Sequence, residues 1–429
     1  MRTNRRQRHG VLAVLATTAL LVAACGGAGD EGGSQGGQAG QPGNTAGFDG
    51  TTIKLGVLSP LSGPTAVIGQ PLTNGNKVWF DHINSQGGIA GKYKVELVQE
   101  DTQYKPDITV QRYNKIKNDV VAFTQVLGTA PTLAVKPLLE SDKMIAAPAS
   151  LDAFWVREPN LLPVGAPYQI QAINAMDHYL SEGGGSTDSK ICTMVQDDVY
   201  GEAGQQGIDF AAKEQGFTVA NTQKFKVNTE NYAGQIGALA GAGCEMVFLT
   251  ATPSDAGKIW GTAAQAKFMP QWYAQSPSWV GALAKSAVAP YMKQYVKIVA
   301  EGTEWGDESV PGMKDMIDRV KQYAPQQEPD YYFAFGYNQG RAMTALLEKA
   351  VERGDLSREG LLAASEELGV VSFDGLTDDY TYGPADKRNP PRSSTVFTVA
   401  PDKPFGLVVS KYNFTSDAAK KFEFTKADG

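Results

Sequence analysis

Short apolar runs alternate with longer amphipathic stretches along most of this 429-residue chain. Residues 53–58 form an apolar run that ends in Ser59-Pro60-Leu61-Ser62-Gly63-Pro64, the pattern of a strand leading into a loop. A helical pattern follows, with Val78, Trp79 and Ile83 on its apolar face and a stop at Asn84-Ser85-Gln86-Gly87-Gly88. Tyr93, Val95, Leu97 and Gln99 then alternate with Lys94, Glu96 and Val98, which predicts a partly exposed strand. Residues 107–118 read as a helix and 120–127 as a buried strand ending at Gly128-Thr129. A helix over 133–141 leads to the apolar run 144–147 and the turn Pro148-Ala149-Ser150. A second set begins near Tyr168, with strands expected at 191–195, 217–225, 246–249 and around Trp272-Tyr273.

Such alternation predicts an α/β fold of doubly wound parallel sheets with helices on both faces. Two sheets joined by a hinge would set their strand-end loops face to face. Ligands bind at those loops in open parallel sheets, so a cleft between two lobes is the expected site.

The N-terminus departs from this pattern. Arg2, Arg5, Arg6 and Arg8 precede an apolar body over 11–22, and Leu21-Val22-Ala23-Ala24 lead into Cys25. That order predicts a secretory signal over 1–24 whose cleavage leaves Cys25 first. The segment resembles a bacterial lipoprotein signal, which implies diacylglycerol on the Cys25 thiol and an extracytoplasmic protein anchored to the cell membrane. The apolar body falls short of the roughly 20 residues that span a bilayer. Residues 25–50, rich in Gly, are expected to form a flexible tether with a typical reach of ~25 Å.

Composition narrows the partners. Removing the four arginines of the signal takes the formal net charge from −7 to −11. An acidic chain of this kind argues against nucleic acid or an anionic lipid surface as partner. About 380 residues remain after signal and tether, a length that usually divides into two domains. Cys192 and Cys244 each lie at the start of an apolar run, so a disulfide or a pair of buried thiols would fit. Nucleophile elbow, zinc-protease and phosphate-loop motifs are all missing from the sequence, and neither a cofactor nor a metal is expected. Asp197-Asp198 and Asp378-Asp379 read as solvated turns, because adjacent side chains point apart.

Several segments together resemble the branched-chain amino-acid-binding family of periplasmic binding proteins, the type I fold. They are Leu58-Ser59-Pro60-Leu61-Ser62-Gly63-Pro64, the stretch 83–91, Pro148-Ala149-Ser150, Asp197-Asp198-Val199-Tyr200-Gly201, and Gly336-Tyr337-Asn338 before a helix over 339–351. The resemblance implies a three-strand hinge, with lobe one from 51–166 and 300–395 and lobe two from 167–299 and 396–429. It also implies a non-enzymatic role as the solute-capturing lipoprotein of an ABC importer, partnered by a permease and ATPase complex.

The family's site, carried onto this chain, places Thr129, Ala149 and Ser150 around a ligand carboxylate and Tyr200 over the ligand. Ser62 in the first loop and Tyr337 complete the expected contacts, with Trp155 and Tyr337 joining Trp279 in an apolar lining. The departures concern the rest of the ligand. Ile68 stands where an aromatic residue is expected, and Thr252 replaces a tyrosine. The segment Tyr273-Ala274-Gln275-Ser276-Pro277 lacks the acid that would pair with an α-ammonium, leaving Ser276 in its place. A buried ammonium without that partner would be costly. The expected ligand is therefore a small carboxylate or neutral compound, aromatic ones included, with urea or a short amide as the alternative. A ligand-sensing lipoprotein without transport is the alternative role.

Overall fold

A computed structural model of the chain describes residues 42–426. The expected signal, Cys25 and most of the expected tether lie outside them. The first half of the fold alternates as β1 (Thr52–Ser59), α1 (Ala66–Ser85), β2 (Lys94–Asp101), α2 (Pro106–Ile116), β3 (Ala122–Leu127), α3 (Thr129–Ser141) and β4 (Ala146–Ala149). Among the described residues these strands form a parallel four-stranded sheet in the order β2-β1-β3-β4. All six residues of β3 are buried, as a central strand covered on both faces requires, whereas edge strand β2 carries exposed Lys94 and Glu96.

The chain then builds α4 (Tyr168–Ser181), β5 (Ile191–Gln196), α5 (Val199–Gln215), β6 (Val219–Phe225), α6 (Ala233–Gly241), β7 (Met246–Thr250), α7 (Pro253–Gln265), β8 (Gln271–Gln275), α8 (Ala289–Tyr295) and β9 (Val296–Ala300). It returns to the first lobe as α9 (Pro311–Tyr323), α10 (Tyr331–Arg353), α11 (Arg358–Glu366) and the small hairpin of β10 (Val370–Val371) and β11 (Tyr380–Thr381). It closes in the second lobe with β12 (Ser394–Val399), β13 (Leu407–Phe414) and α12 (Asp417–Lys421).

The second sheet runs β13-β12-β9-β8-β7-β5-β6. Strands β5 to β9 are parallel, but β12 pairs antiparallel with both β9 and β13. The parallel sheet thus carries an antiparallel edge that the strand pattern did not include: a short turn joins β12 to β13, with no helical crossover to carry the chain back.

Two further expectations meet the structure here. The expected tether extends to residue 50, but Phe48 is 3 % exposed, bridges Ile53, and packs edge-on against Tyr93 at 5.1 Å. Burial of that ring ties the chain down before β1. The cysteines form a Cys192–Cys244 disulfide with Cα atoms 5.8 Å apart, which settles the choice left open by the sequence.

One close approach sets the site. A Cβ added at Gly336 would fall 1.9 Å from the Leu72 carbonyl oxygen, and one at Gly75 would fall 2.0 Å from the Phe333 carbonyl oxygen. Only glycine at both positions lets α1 and α10 touch backbone to backbone. The result places Ile68 and Leu72 of α1 beside Tyr331, Tyr332 and Phe335 of α10.

Candidate functional site

The carboxyl ends of β3, β4, β5, β7 and β8 converge between the lobes around a cavity of about 50 Å³. Ile68, Thr129, Ala149, Ser150, Tyr200, Thr252 and Ser276 all line this cavity. The lobes touch around it: the Ser254 hydroxyl donates to the Pro64 carbonyl at 3.3 Å, and the Tyr332 hydroxyl of α10 donates to the Pro277 and Trp279 carbonyls at 3.0 and 2.9 Å.

The first-lobe end of the cavity is a set of donors. Gly128 precedes α3 with φ of +104°, and a Cβ there would fall 2.6 Å from the Tyr104 ring. Glycine therefore lets the tyrosine close over the start of the helix. The first amides of α3 have no partner within their own helix and carry the positive end of its dipole. Thr129 is 2 % exposed, and its hydroxyl has no partner among the described residues. The Ser150 oxygen accepts from the Trp155 indole at 2.9 Å, which leaves the serine hydrogen free to donate. Trp155 thus aims Ser150 from the core below. It does not line the cavity, and that expectation is corrected.

In the second-lobe wall the Thr252 and Ser276 hydroxyls are already engaged. Thr252 donates to Asp255 at 2.9 Å, and Asp255 also accepts from Tyr232 at 2.6 Å and the Asn228 amide at 3.0 Å. Ser276 donates to Gln171 at 3.2 Å. Asp198, expected in a solvated turn, instead caps α5 by accepting from the Tyr200 and Gly201 amides at 3.0 and 3.1 Å. Among the described residues, no Asp, Glu, Lys or Arg lines the cavity. An ammonium would find no counter-ion there, and a carboxylate would be held by neutral donors alone.

Aromatic rings make up much of the rest. Tyr168 and Tyr200 pack with centroids 4.9 Å apart, and Tyr104, Tyr331, Tyr332 and Phe335 complete the wall. Burial pushes the Tyr168, Tyr200, Tyr331 and Tyr332 hydroxyls above their ordinary range, so all four stay neutral near pH 7.

Ser62 and Tyr337 do not reach this cavity. Ser62 is exposed and donates to Asp101 at 2.5 Å, which holds the first loop to the end of β2. Tyr337 is fully buried on the other side of α10, edge-on to Trp79 at 5.0 Å with its hydroxyl bonded to Arg319. It lies two residues from Phe335, about 200° around the helix, so the two cannot share a face. Trp279 is also buried, donating to the Phe405 carbonyl at 3.1 Å. The tyrosines at 104, 168, 331 and 332 were missed by sequence reading. Asp330, which caps α10 through the Phe333 amide at 2.9 Å, was the signal that the helix starts well before residue 339.

The sequence model of the periplasmic binding proteins matches residues 52–404. The chain belongs to the periplasmic binding protein family. Among relatives, this binding protein is 25 % identical over 214 residues to Leu/Ile/Val-binding protein homolog 7 of Brucella suis, an alignment covering 47 % of this chain and 53 % of that one. The chain therefore spans about half the length of the curated relatives it matches. Among solved structures, a fatty acid ABC transporter substrate-binding protein from Thermomonospora curvata superposes with a TM-score of 0.83. That superposition has 24 % identity and covers 90 % of this chain and 97 % of the other. A branched-chain amino acid ABC transporter protein from Thermus thermophilus with bound valine gives 0.75 at 16 % identity, covering 89 % and 99 %. The shared architecture is the two-lobed α/β fold of the type I binding proteins. Among the described residues of this binding protein, no helix is long and apolar enough to cross a membrane, and no cluster of His, Cys, Asp and Glu could hold a metal ion.

Proposed function

We propose that this protein is the solute-capturing component of an ABC importer, held outside the cytoplasm by lipid on Cys25, and that its ligand is a carboxylate without an α-ammonium. The observation that carries the reading is the polarity of the cavity. The unpartnered Thr129 hydroxyl and the Ser150 hydroxyl lie at one end of the cavity beside the start of α3, and the opposite wall offers no carboxylate. Hydrogen bonds to a charged acceptor are the strong ones in a site shielded from water, so neutral donors suffice to hold an anion. Contacts from both lobes give the ligand its preference for the closed state, which is what a permease would recognise. A fatty acid, the ligand class named for the Thermomonospora curvata protein, would satisfy this chemistry, and valine would leave its ammonium unpaired.

Titration calorimetry of the full chain against simple aliphatic and aryl carboxylates, their amides, urea and branched-chain amino acids tests the reading. Carboxylates should bind and their amides should be at least tenfold weaker. Tight binding of leucine, isoleucine or valine would overturn it, and preference for urea or the amides would assign the site to neutral ligands.

A further inference from the structure

Behind Tyr331 and Phe335 lies a second, partly open chamber with a cavity volume of about 50 Å³. Ser276, Tyr331 and Phe335 belong to the walls of both cavities, so these three side chains are the partition between them. The far wall comes from three parts of the chain brought together at the hinge: Trp279 after β8, Ile298 on β9, and Phe397 and Leu407 on β12 and β13. This far wall is apolar, and the polar atoms of the chamber come from Ser276, Glu301, Thr303, Tyr331, Asn338 and Thr377.

The one carboxyl group in this wall, among the described residues, is Glu301. It is 5 % exposed and accepts from the Ala166 amide at 2.5 Å. Burial pushes its pKa up to about 8, so it is mostly protonated at neutral pH and leaves the chamber uncharged. Interiors are otherwise close-packed, and an apolar cavity forfeits the contacts its lining would make.

We propose that the second chamber is a subsite for the apolar tail of an elongated monocarboxylate whose head is held by Thr129 and Ser150. This rests on the carboxylate reading above and goes further by assigning the ligand a chain, not a compact body. Tyr331 and Phe335 are then the residues the chain passes. Tyr331 would present its ring to the tail, and its hydroxyl has no partner of ordinary geometry to hold it in place.

The test is a chain-length series of unbranched carboxylates, from four to about twelve carbons, titrated into the full chain. Affinity should climb roughly three- to fourfold per methylene once the head cavity is filled, the increment for burying a methylene group. Ala334 lines the second chamber and not the first, so Ala334→Phe should flatten that climb while the shortest ligands bind as to the parent. A parent protein that binds short carboxylates without any gain from added methylenes overturns the tail subsite and leaves the carboxylate reading standing. An unaltered climb in a folded Ala334→Phe protein also overturns it. Failure of every carboxylate, short or long, sinks both.

Discussion

The Tyr332 hydroxyl, carried by α10 of the first lobe, donates at 2.9 Å to the carbonyl of Trp279 in the second. It also reaches the Pro277 carbonyl at 3.0 Å. Pro277 lines the ligand cavity, so this phenol is both part of the cavity wall and a latch between the lobes. Tyr332→Phe keeps the ring and removes the latch. A single hydrogen bond contributes about 0.5–1.5 kcal/mol net, so ligand affinity should fall roughly two- to tenfold. Small-angle scattering of the ligand-free variant should show a larger radius of gyration than the parent, and an unchanged radius with unchanged affinity would remove the latch role.

Thr129 and Ser150 sit side by side in the sequence argument, yet the structure predicts opposite stability effects for them. The Thr129 hydroxyl is buried without a partner, so Thr129→Val removes an unsatisfied group and keeps the shape. Its melting temperature should equal or exceed that of the parent, with carboxylate affinity down on the order of tenfold or more. Ser150→Ala strands the Trp155 indole N–H in the core and should cost about 1–3 kcal/mol of stability in addition to affinity. Chemical denaturation paired with calorimetry separates the two signatures.

The contrast shows what a sequence can and cannot disclose about such a site. Strand ends are legible because apolar runs stop at Gly, Ser and Pro, and the residues just beyond them (Thr129, Ser150, Tyr200, Thr252, Ser276) do line the cavity. Helical contacts depend on phase, and a start placed at residue 339 hid the true one at Tyr331. With that start lost, the expectation falls on Tyr337, which lies on the opposite face from Phe335. Trp155 was recognised as aromatic and near the site, but only its bond to Ser150 explains its use. The second chamber was not legible at all, because its wall joins residues from Trp279 to Leu407 that meet only through the returning strands β12 and β13.

The disulfide lies at the opposite end of β5 from the cavity. Cys192 is the second residue of that strand, whereas Tyr200 and the cavity follow its last. Replacing both cysteines by alanine should therefore lower stability without disturbing the site. Freeing a loop of 52 residues in sequence separation costs about 4 kcal/mol in the chain-entropy model. The expected result is a markedly lower denaturation midpoint and a ligand affinity within about twofold of the parent once the protein is kept below its transition. A large affinity loss in a demonstrably folded variant would mean that the second-lobe sheet transmits strain to the cleft.

Glu301 makes the hinge sensitive to pH in a direction opposite to that of most carboxylates. Its oxygen atoms lie where a Cβ on Gly165 would stand, 2.0 and 2.3 Å from that position, so the left-handed glycine (φ +85°) makes room for the carboxyl. The nearby Asp378 carboxylate adds to the effect of burial in holding the proton on. The unfolded chain releases this proton near 4.5 and the folded chain near 8. Between those values the folded state binds more protons than the unfolded one, so stability is highest below the unfolded pKa and falls as pH rises through the window. The limiting slope for one proton is about 1.4 kcal/mol per pH unit. Asp152 and Asp330, raised to about 6, act in the same direction but are spent by pH 7, and His178, lowered to about 4, acts only at acidic pH and with the opposite sign. Comparing the parent with a Glu301 variant from pH 7 to 8 cancels the other shifted groups and reports Glu301 itself. Glu301→Gln can still accept from the Ala166 amide and carries no charge at any pH. Denaturation midpoints of this variant should stay level across that interval while those of the parent decline, and parallel declines in the two proteins would show that the carboxyl is already ionised in the fold.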